Sequence, residues 1–262
     1  MINPDFGESQ LQQLFNAELI TKLPAAGIQP IVPKPHEEQY LGWDTGFYIP
    51  GLKPPDQNQK NCNLFLQYKL SVVIEGPRGN EWNYWRQPYF RFDIPHWKSP
   101  GYGRHQYPDF HQYDALKNLA ANGFPTFYVT NHTVDLDELL RWANNKVIVD
   151  SNPALDIHEI NGRHLVATFT EESDYYLLAT EPEKATTVSL DSMKGIILKA
   201  RRTSLKEDID IIPRLLVEHE VFTKLYQLEK KERQIDTIES EWLLLHHIIF
   251  RVLGLNWWKL SV

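Results

Sequence analysis

The chain has 262 residues, 42% of them hydrophobic and 23% charged, with a net charge of −7. Eight Trp, twelve Tyr and twelve Phe supply apolar area for a sizeable core, which excludes collagen-like, disordered and mucin-like classes. The one cysteine, Cys62, excludes an internal disulfide and a cysteine-based zinc site.

The N-terminal MINPDFGESQ lacks the charged-then-apolar pattern of a signal peptide. No apolar run approaches the roughly 18 residues of a membrane span. A cytoplasmic protein with no membrane partner is the expectation. The acidic balance weighs against non-specific coating of nucleic acid, because phosphate affinity comes from Lys and Arg.

Residues 8–22 put Leu11, Leu14, Phe15, Leu19 and Ile20 at helical spacing, between Gly7 and Pro24 as boundaries. IQPIVP reads as an edge-like strand and GWDTGFYIP as a second strand, followed by the turn-rich loop GLKPPDQNQKN. In NLFLQYKLSVV, Leu64, Leu66, Tyr68 and Leu70 alternate with Phe65, Gln67 and Lys69. This predicts a central strand with Gln67 and Lys69 on one face, exposed into a cleft. After the aromatic stretch EWNYWRQPYFRFDIP, residues 111–122 read as a helix stopped by Gly123 and PTFYVTN as a strand. DLDELLRWANN follows as a short helix, KVIVDSN as a strand or extended segment, and GRHLVATFTEE with DYYLLATEP as a hairpin.

From about residue 205 the pattern turns helical. Ile235, Ile238, Trp242, Leu245, Ile249 and Val252 form an amphipathic stripe, with Pro213 a natural helix start and Gly254 a natural stop. One helix over 213–253 would be roughly 60 Å long. A break near Glu229 to Gln234 into a helical hairpin is therefore expected, with part of the stripe available for a homodimer or a partner protein. This divides the chain into an α/β domain, 1–200, and a helical C-terminal appendage, 201–262.

Hydrolysis of a phosphodiester by two metals needs hard oxygen ligands for Mg²⁺ or Mn²⁺ and a cation near the attacking water. Asp44 and the Gln67 amide oxygen can supply ligands, and Lys69 the cation. Plain structural duties suit the same residues: Asp44 a turn, Lys69 an edge strand, Glu8 the first turn of a helix. No HExxH spacing, phosphate-cradling glycine loop, dinucleotide fingerprint or Ser/His/Asp signature is present.

Gly42-Trp43-Asp44 followed by the strand Phe65-Leu66-Gln67-Tyr68-Lys69 resembles the G-x-D … Q-x-K of Mrr-type restriction endonucleases, within the PD-(D/E)xK nuclease superfamily. Its common core is a helix, a three-stranded meander, a helix and a further strand, similar to the order read over roughly residues 5–150. Two departures stand out: the gap from Asp44 to Gln67 is long, and Gln in place of the usual Glu removes one negative charge. The resemblance implies a restriction-endonuclease-like core with a central mixed sheet flanked by helices. It also implies Mg²⁺- or Mn²⁺-dependent hydrolysis of DNA by in-line attack of water. In that reading Asp44 binds metal, Gln67 binds it weakly and Lys69 orients the water. Glu8 or Glu38 completes the site, Glu37 competing with them, and Glu38 joins the metal ligands. Such stand-alone proteins often serve host defence or mobile elements. The rival expectation is an inactive nuclease-like fold kept as a binding or scaffold module, which the acidic charge and Gln67 both favour.

Overall fold

Apolar residues at every second position of Asn61–Lys69 (β1) give this strand one apolar face. Its other face, with Asn63, Phe65 and Gln67, is buried too, and the rest of the molecule is arranged about it. The computed structural model describes residues 1–23, 57–77, 81–94, 112–160, 164, 166–179, 182–216, 220–233 and 235–260. IQPIVP, GWDTGFYIP and most of the loop after it lie outside the described residues, and with them Asp44, Glu37 and Glu38. The expected helix 8–22 is present as α1, Glu8–Lys22, where Gln10 Oε1 accepts the Gly7 amide at 2.8 Å.

After β1 the chain forms β2 (Val72–Ile74), the short helix α2 (Trp82–Trp85) and β3 (Tyr89–Asp93). Helix α3 (Gln112–Ala121) and β4 (Thr126–Thr130) follow, then α4 (Leu136–Asn144) and α5 (Ile148–Ser151). Next come β5 (Ala154–Asp156), β6 (Val166–Phe169), β7 (Tyr175–Leu178) and β8 (Glu183–Val188). Helix α6 (Leu190–Lys199), β9 (Arg202–Thr203), α7 (Leu205–Leu215), α8 (Glu220–Glu232), α9 (Ile238–Leu253) and β10 (Leu255–Leu260) complete the order. The class is α/β. Among the described residues, ten strands form one mixed sheet in the order β10-β1-β4-β5-β8-β7-β6-β3-β2, with β9 also paired to β1.

That order forces the sheet to curl. Strand β1 is second in it and β2 ninth, which would separate them by roughly 33 Å in a flat sheet. Only Leu70 and Ser71 join them in the chain, enough for about 10 Å. The sheet therefore bends back until β2 stands near the end of β1. A polar clamp holds the closure: Ser71 N donates to Asn131 Oδ1 at 2.7 Å, Ser71 Oγ to Asn131 O at 2.6 Å, and Asn131 Nδ2 to Ser71 O at 3.0 Å.

The two faces of β1 serve two cores. Cys62, Leu64, Leu66 and Tyr68 pack with Leu11, Phe15 and Leu19 of α1 and Met193 and Ile197 of α6. On the other face Phe65 joins Tyr128, the aromatics Phe90, Phe92, Phe169 and Tyr176, and the residues of α7 to α9.

Several expectations need correction. KVIVDSN contains a helical turn, α5, rather than a strand. Its first amides are capped from α1, Glu18 accepting from Ile148 N at 2.9 Å and Val149 N at 3.5 Å, while Asn152 Nδ2 donates back to Ile148 O at 2.7 Å. A tertiary cap thus overrides the β preference of Val and Ile. Pro213 sits inside α7, near its end, and does not start it. The start is set by a capping box, Ser204 Oγ accepting from Glu207 N and Glu207 Oε2 from Ser204 N.

The break after Glu232 and the α8–α9 hairpin agree with the sequence reading, with Tyr226 and Lys230 of α8 bonded to Glu241 of α9. Trp242, Leu245, Ile249 and Val252 are buried in the core, so most of the stripe faces inward. Gly254, with φ 63°, ends α9 in the left-handed region that suits glycine. The chain then enters β10, which runs antiparallel to β1 from Cys62↔Leu260 to Gln67↔Leu255. Both the sheet and the core thereby cross the boundary expected near residue 200.

Candidate functional site

Gln67 and Lys69 occupy the carboxyl end of β1, on the face that also carries Phe65. Gln67 is only 2% exposed and its Nε2 donates to Tyr68 O at 2.8 Å, so it does not project into an open cleft as expected. Both edges of β1 are taken at this residue, by Leu255 of β10 and Tyr128 of β4. Lys69 is half-buried, and no described residue makes a salt bridge to it. Glu8 is exposed on the first turn of α1, a helix that packs against the opposite face of β1. The structure thus brings Gln67 and Lys69 together on one face, with the helix bearing Glu8 on the other.

Helix α3 lies between β1 and β4 in the chain, and β4 pairs with β1 in parallel: Gln67 stands level with Tyr128, and Lys69 with Thr130. Paired residues of neighbouring strands share a face, so Tyr128 and Thr130 continue the polar row beside Gln67 and Lys69, and His132 follows two residues beyond the end of β4. His132 N is held by Asn152 Oδ1 at 2.9 Å. Its ring lies against Phe90 of β3, centroids 6.1 Å apart, and Phe169 of β6, 4.2 Å apart, across the closed side of the curl. Burial in this aromatic surround pushes its pKa down to about 3, so the ring is neutral at physiological pH. Burial likewise pushes the Tyr128 phenol well above its ordinary value.

Three side-chain atoms here, Tyr128 Oη, Thr130 Oγ1 and His132 Nε2, are buried without a hydrogen-bond partner among the described residues. At the amino-terminal end of β1, Asn61 Nδ2 is likewise buried without a partner among the described residues, but the cluster around Asn63 is satisfied. There Asn63 Nδ2 donates to Thr203 Oγ1 at 2.8 Å and Asp208 Oδ1 at 2.7 Å, and Trp257 Nε1 donates to Asn63 Oδ1 at 3.0 Å. Lys259 Nζ donates to Asp208 Oδ2 at 2.5 Å and Thr203 O at 2.6 Å. Burial pushes Asp208 up and Lys259 down, each opposed by the charge of the other. This satisfied cluster ties α7, β9 and β10 to β1 and is structural. Buried polar atoms left without partners need a further group, bound water or ligand, to complete them.

Among the described residues no three His, Cys, Asp or Glu side chains converge to hold a metal ion. Gln67 is the only one of the expected metal ligands that is described, and its amide is neutral, whereas Mg²⁺ and Mn²⁺ favour anionic oxygen. The described residues alone therefore do not fit a divalent-cation site. Among them, no helix is long and apolar enough to cross a membrane.

Sequence reasoning missed Thr130 and His132. Part of the signal was present: Tyr128 and Thr130 alternate with Phe127 and Val129 on β4, whereas His132 lies past the strand and after Asn131. Comparison of the chain with protein-family models, curated proteins and solved structures finds no match.

Proposed function

We propose that this protein is a metal-dependent nuclease of the PD-(D/E)xK type that hydrolyses DNA phosphodiester bonds, with Lys69 as the cation beside the attacking water. Asp44, with Glu38, would supply the anionic ligands for Mg²⁺ or Mn²⁺, Glu8 being on the helix that packs against the opposite face of β1. The supporting observation is the position of Gln67 and Lys69 together at the carboxyl end of β1, with α3 and then the parallel neighbour β4 following in the chain. Carboxyl ends of parallel strands are where α/β sheets bind ligands. At that end Lys69 offers a positive charge to a phosphate or to the water attacking it.

The test is cleavage of plasmid and single-stranded DNA by wild type, Lys69→Ala and Asp44→Ala, each with Mg²⁺, Mn²⁺ or chelator. Cutting by wild type with either metal, lost in chelator and in both variants, is the expected result. Cleavage that persists in chelator, or survives Asp44→Ala, overturns the assignment.

A second reading, a nuclease-like fold kept as a binding or scaffold module, draws support from the burial of Gln67. It also draws support from β10, which occupies the antiparallel edge of β1 where the resemblance expects a strand preceding it in the chain. Absence of both Mn²⁺ binding and cleavage in wild type would favour it.

A further inference from the structure

The structure assigns Thr130 and His132, with Lys69, to an oxyanion subsite that receives a phosphate group of the ligand. The starting point is the pair of atoms Thr130 Oγ1 and His132 Nε2, buried and without partners on the row that begins at Lys69. Thr130 is 1% exposed and His132 9%. Leaving such groups unbonded is unfavourable, and three of these atoms, counting Tyr128 Oη, fall within the five residues from Tyr128 to His132. The Asn63–Asp208–Lys259 cluster at the other strand end, by comparison, has its polar atoms bonded.

The chemistry of the row selects the ligand. Lys69 contributes an ammonium that no described residue pairs. The Thr130 hydroxyl can donate, and so can a neutral imidazole in the tautomer with its proton on Nε2. A cation with neutral donors and no carboxylate in the row suits an oxyanion with several acceptor oxygens, and phosphate is the common one. Lys69, half-buried, is the member of the row nearest solvent, with His132 and Thr130 buried behind it. Tyr128 Oη lies one step further inside and would be reached through water.

The inference rests on the nuclease reading for the identity of the anion, but it requires neither cleavage nor a metal. Its test is therefore run in chelator. Binding of inorganic phosphate and of a short 5′-phosphorylated single-stranded DNA is measured by calorimetry for wild type, Thr130→Val and His132→Phe. Both substitutions keep the shape of the side chain and remove its polar atom. Each should weaken binding of both probes about tenfold or more, the loss expected for one hydrogen bond to a charged group. Neither should lower the melting temperature, since each removes an unbonded buried atom.

Failure of wild type to bind phosphate, or equal affinity in wild type and both variants, overturns the subsite. So does a marked fall in melting temperature in both variants, because it would show that the two atoms are already satisfied within the fold. Cleavage assays separate the readings: phosphate binding that depends on Thr130 and His132 without DNA cutting keeps the subsite and removes the nuclease. Cutting by both variants at the wild-type rate, with unchanged phosphate affinity, does the reverse.

Discussion

Lys259 Nζ and Asp208 Oδ2 stand 2.5 Å apart with neither side chain exposed to solvent. Asn63 and Thr203 satisfy the remaining lone pairs of the carboxylate, so the pair has the hydrogen bonding that a buried charge requires. Removing one partner strands the other charge, at a cost of about 3–5 kcal/mol. Lys259→Met and Asp208→Leu should each destabilise the protein by that amount in urea unfolding. The double variant should lose much less than the sum of the two. Losses that simply add would show that the two side chains are not coupled.

Acid should destabilise the protein through two neutral histidines. His132 is pushed from 6.5 down to about 3 and His246 from 6.5 down to about 4, both by burial. His246 Nε2 donates to Trp257 O at 2.8 Å, which locks its ring into the α9–β10 corner. A depressed folded-state pKa favours the native state above the unfolded value, and that stability is lost as pH falls. The loss begins near 6.5 and runs to about 4 for His246 and about 3 for His132. Each contributes about 1.4 kcal/mol per pH unit inside its window. His132→Phe should therefore reduce the acid slope of unfolding free energy by about that much between about pH 6 and about pH 4.5. An unchanged slope would mean that His132 is not buried and neutral.

The Gln67→Glu variant reports on metal at the site without needing cleavage. Gln67 is 2% exposed, so a carboxylate there is desolvated and unfavourable unless a cation neutralises it. In chelator the variant should melt below wild type. Mn²⁺ should then raise its melting temperature by more than it raises that of wild type, as binding linkage requires. If Mn²⁺ shifts neither protein, Gln67 has no metal beside it.

Residues 255–260 should prove indispensable to folding. Trp257 stacks on Phe65 at 5.5 Å, bonds Asn63 and is 2% exposed. Trp257→Ala should cost about 3–5 kcal/mol, typical of a large buried aromatic. Deleting Leu255–Leu260 removes the neighbour of β1 along most of its length and should abolish cooperative unfolding by circular dichroism. A truncated protein that still melts cooperatively would restore the separable appendage that the helical pattern suggests.

Elements whose own residues set their structure were legible in the sequence. The α1 stripe, the alternation in β1, the α3–β4 pair, the β6–β7 hairpin and the break between α8 and α9 all follow from local period and polarity. What escaped depends on distant partners. LNWWKL has no alternation to mark it as a strand, and its burial comes from β1 and from α9 folding back. α5 is helical because Glu18 caps it from another element. The same holds at the candidate site: Q-x-K on a strand can be read locally, but Thr130 and His132 gain meaning only when β4 lies beside β1. Burial of Gln67 is likewise a product of strands on both of its sides.

The pairing of β1 with β10 also has a consequence for synthesis. Its partner residues follow about 190 residues later in the chain, a delay of roughly 10 to 40 seconds at ordinary translation rates. Throughout that interval Leu64, Phe65 and Leu66 leave the ribosome on a strand with one edge open, a template for pairing with other chains. Shielding of that strand until residues 255–260 arrive should therefore favour folding, and slower growth at low temperature should raise the yield in expression hosts.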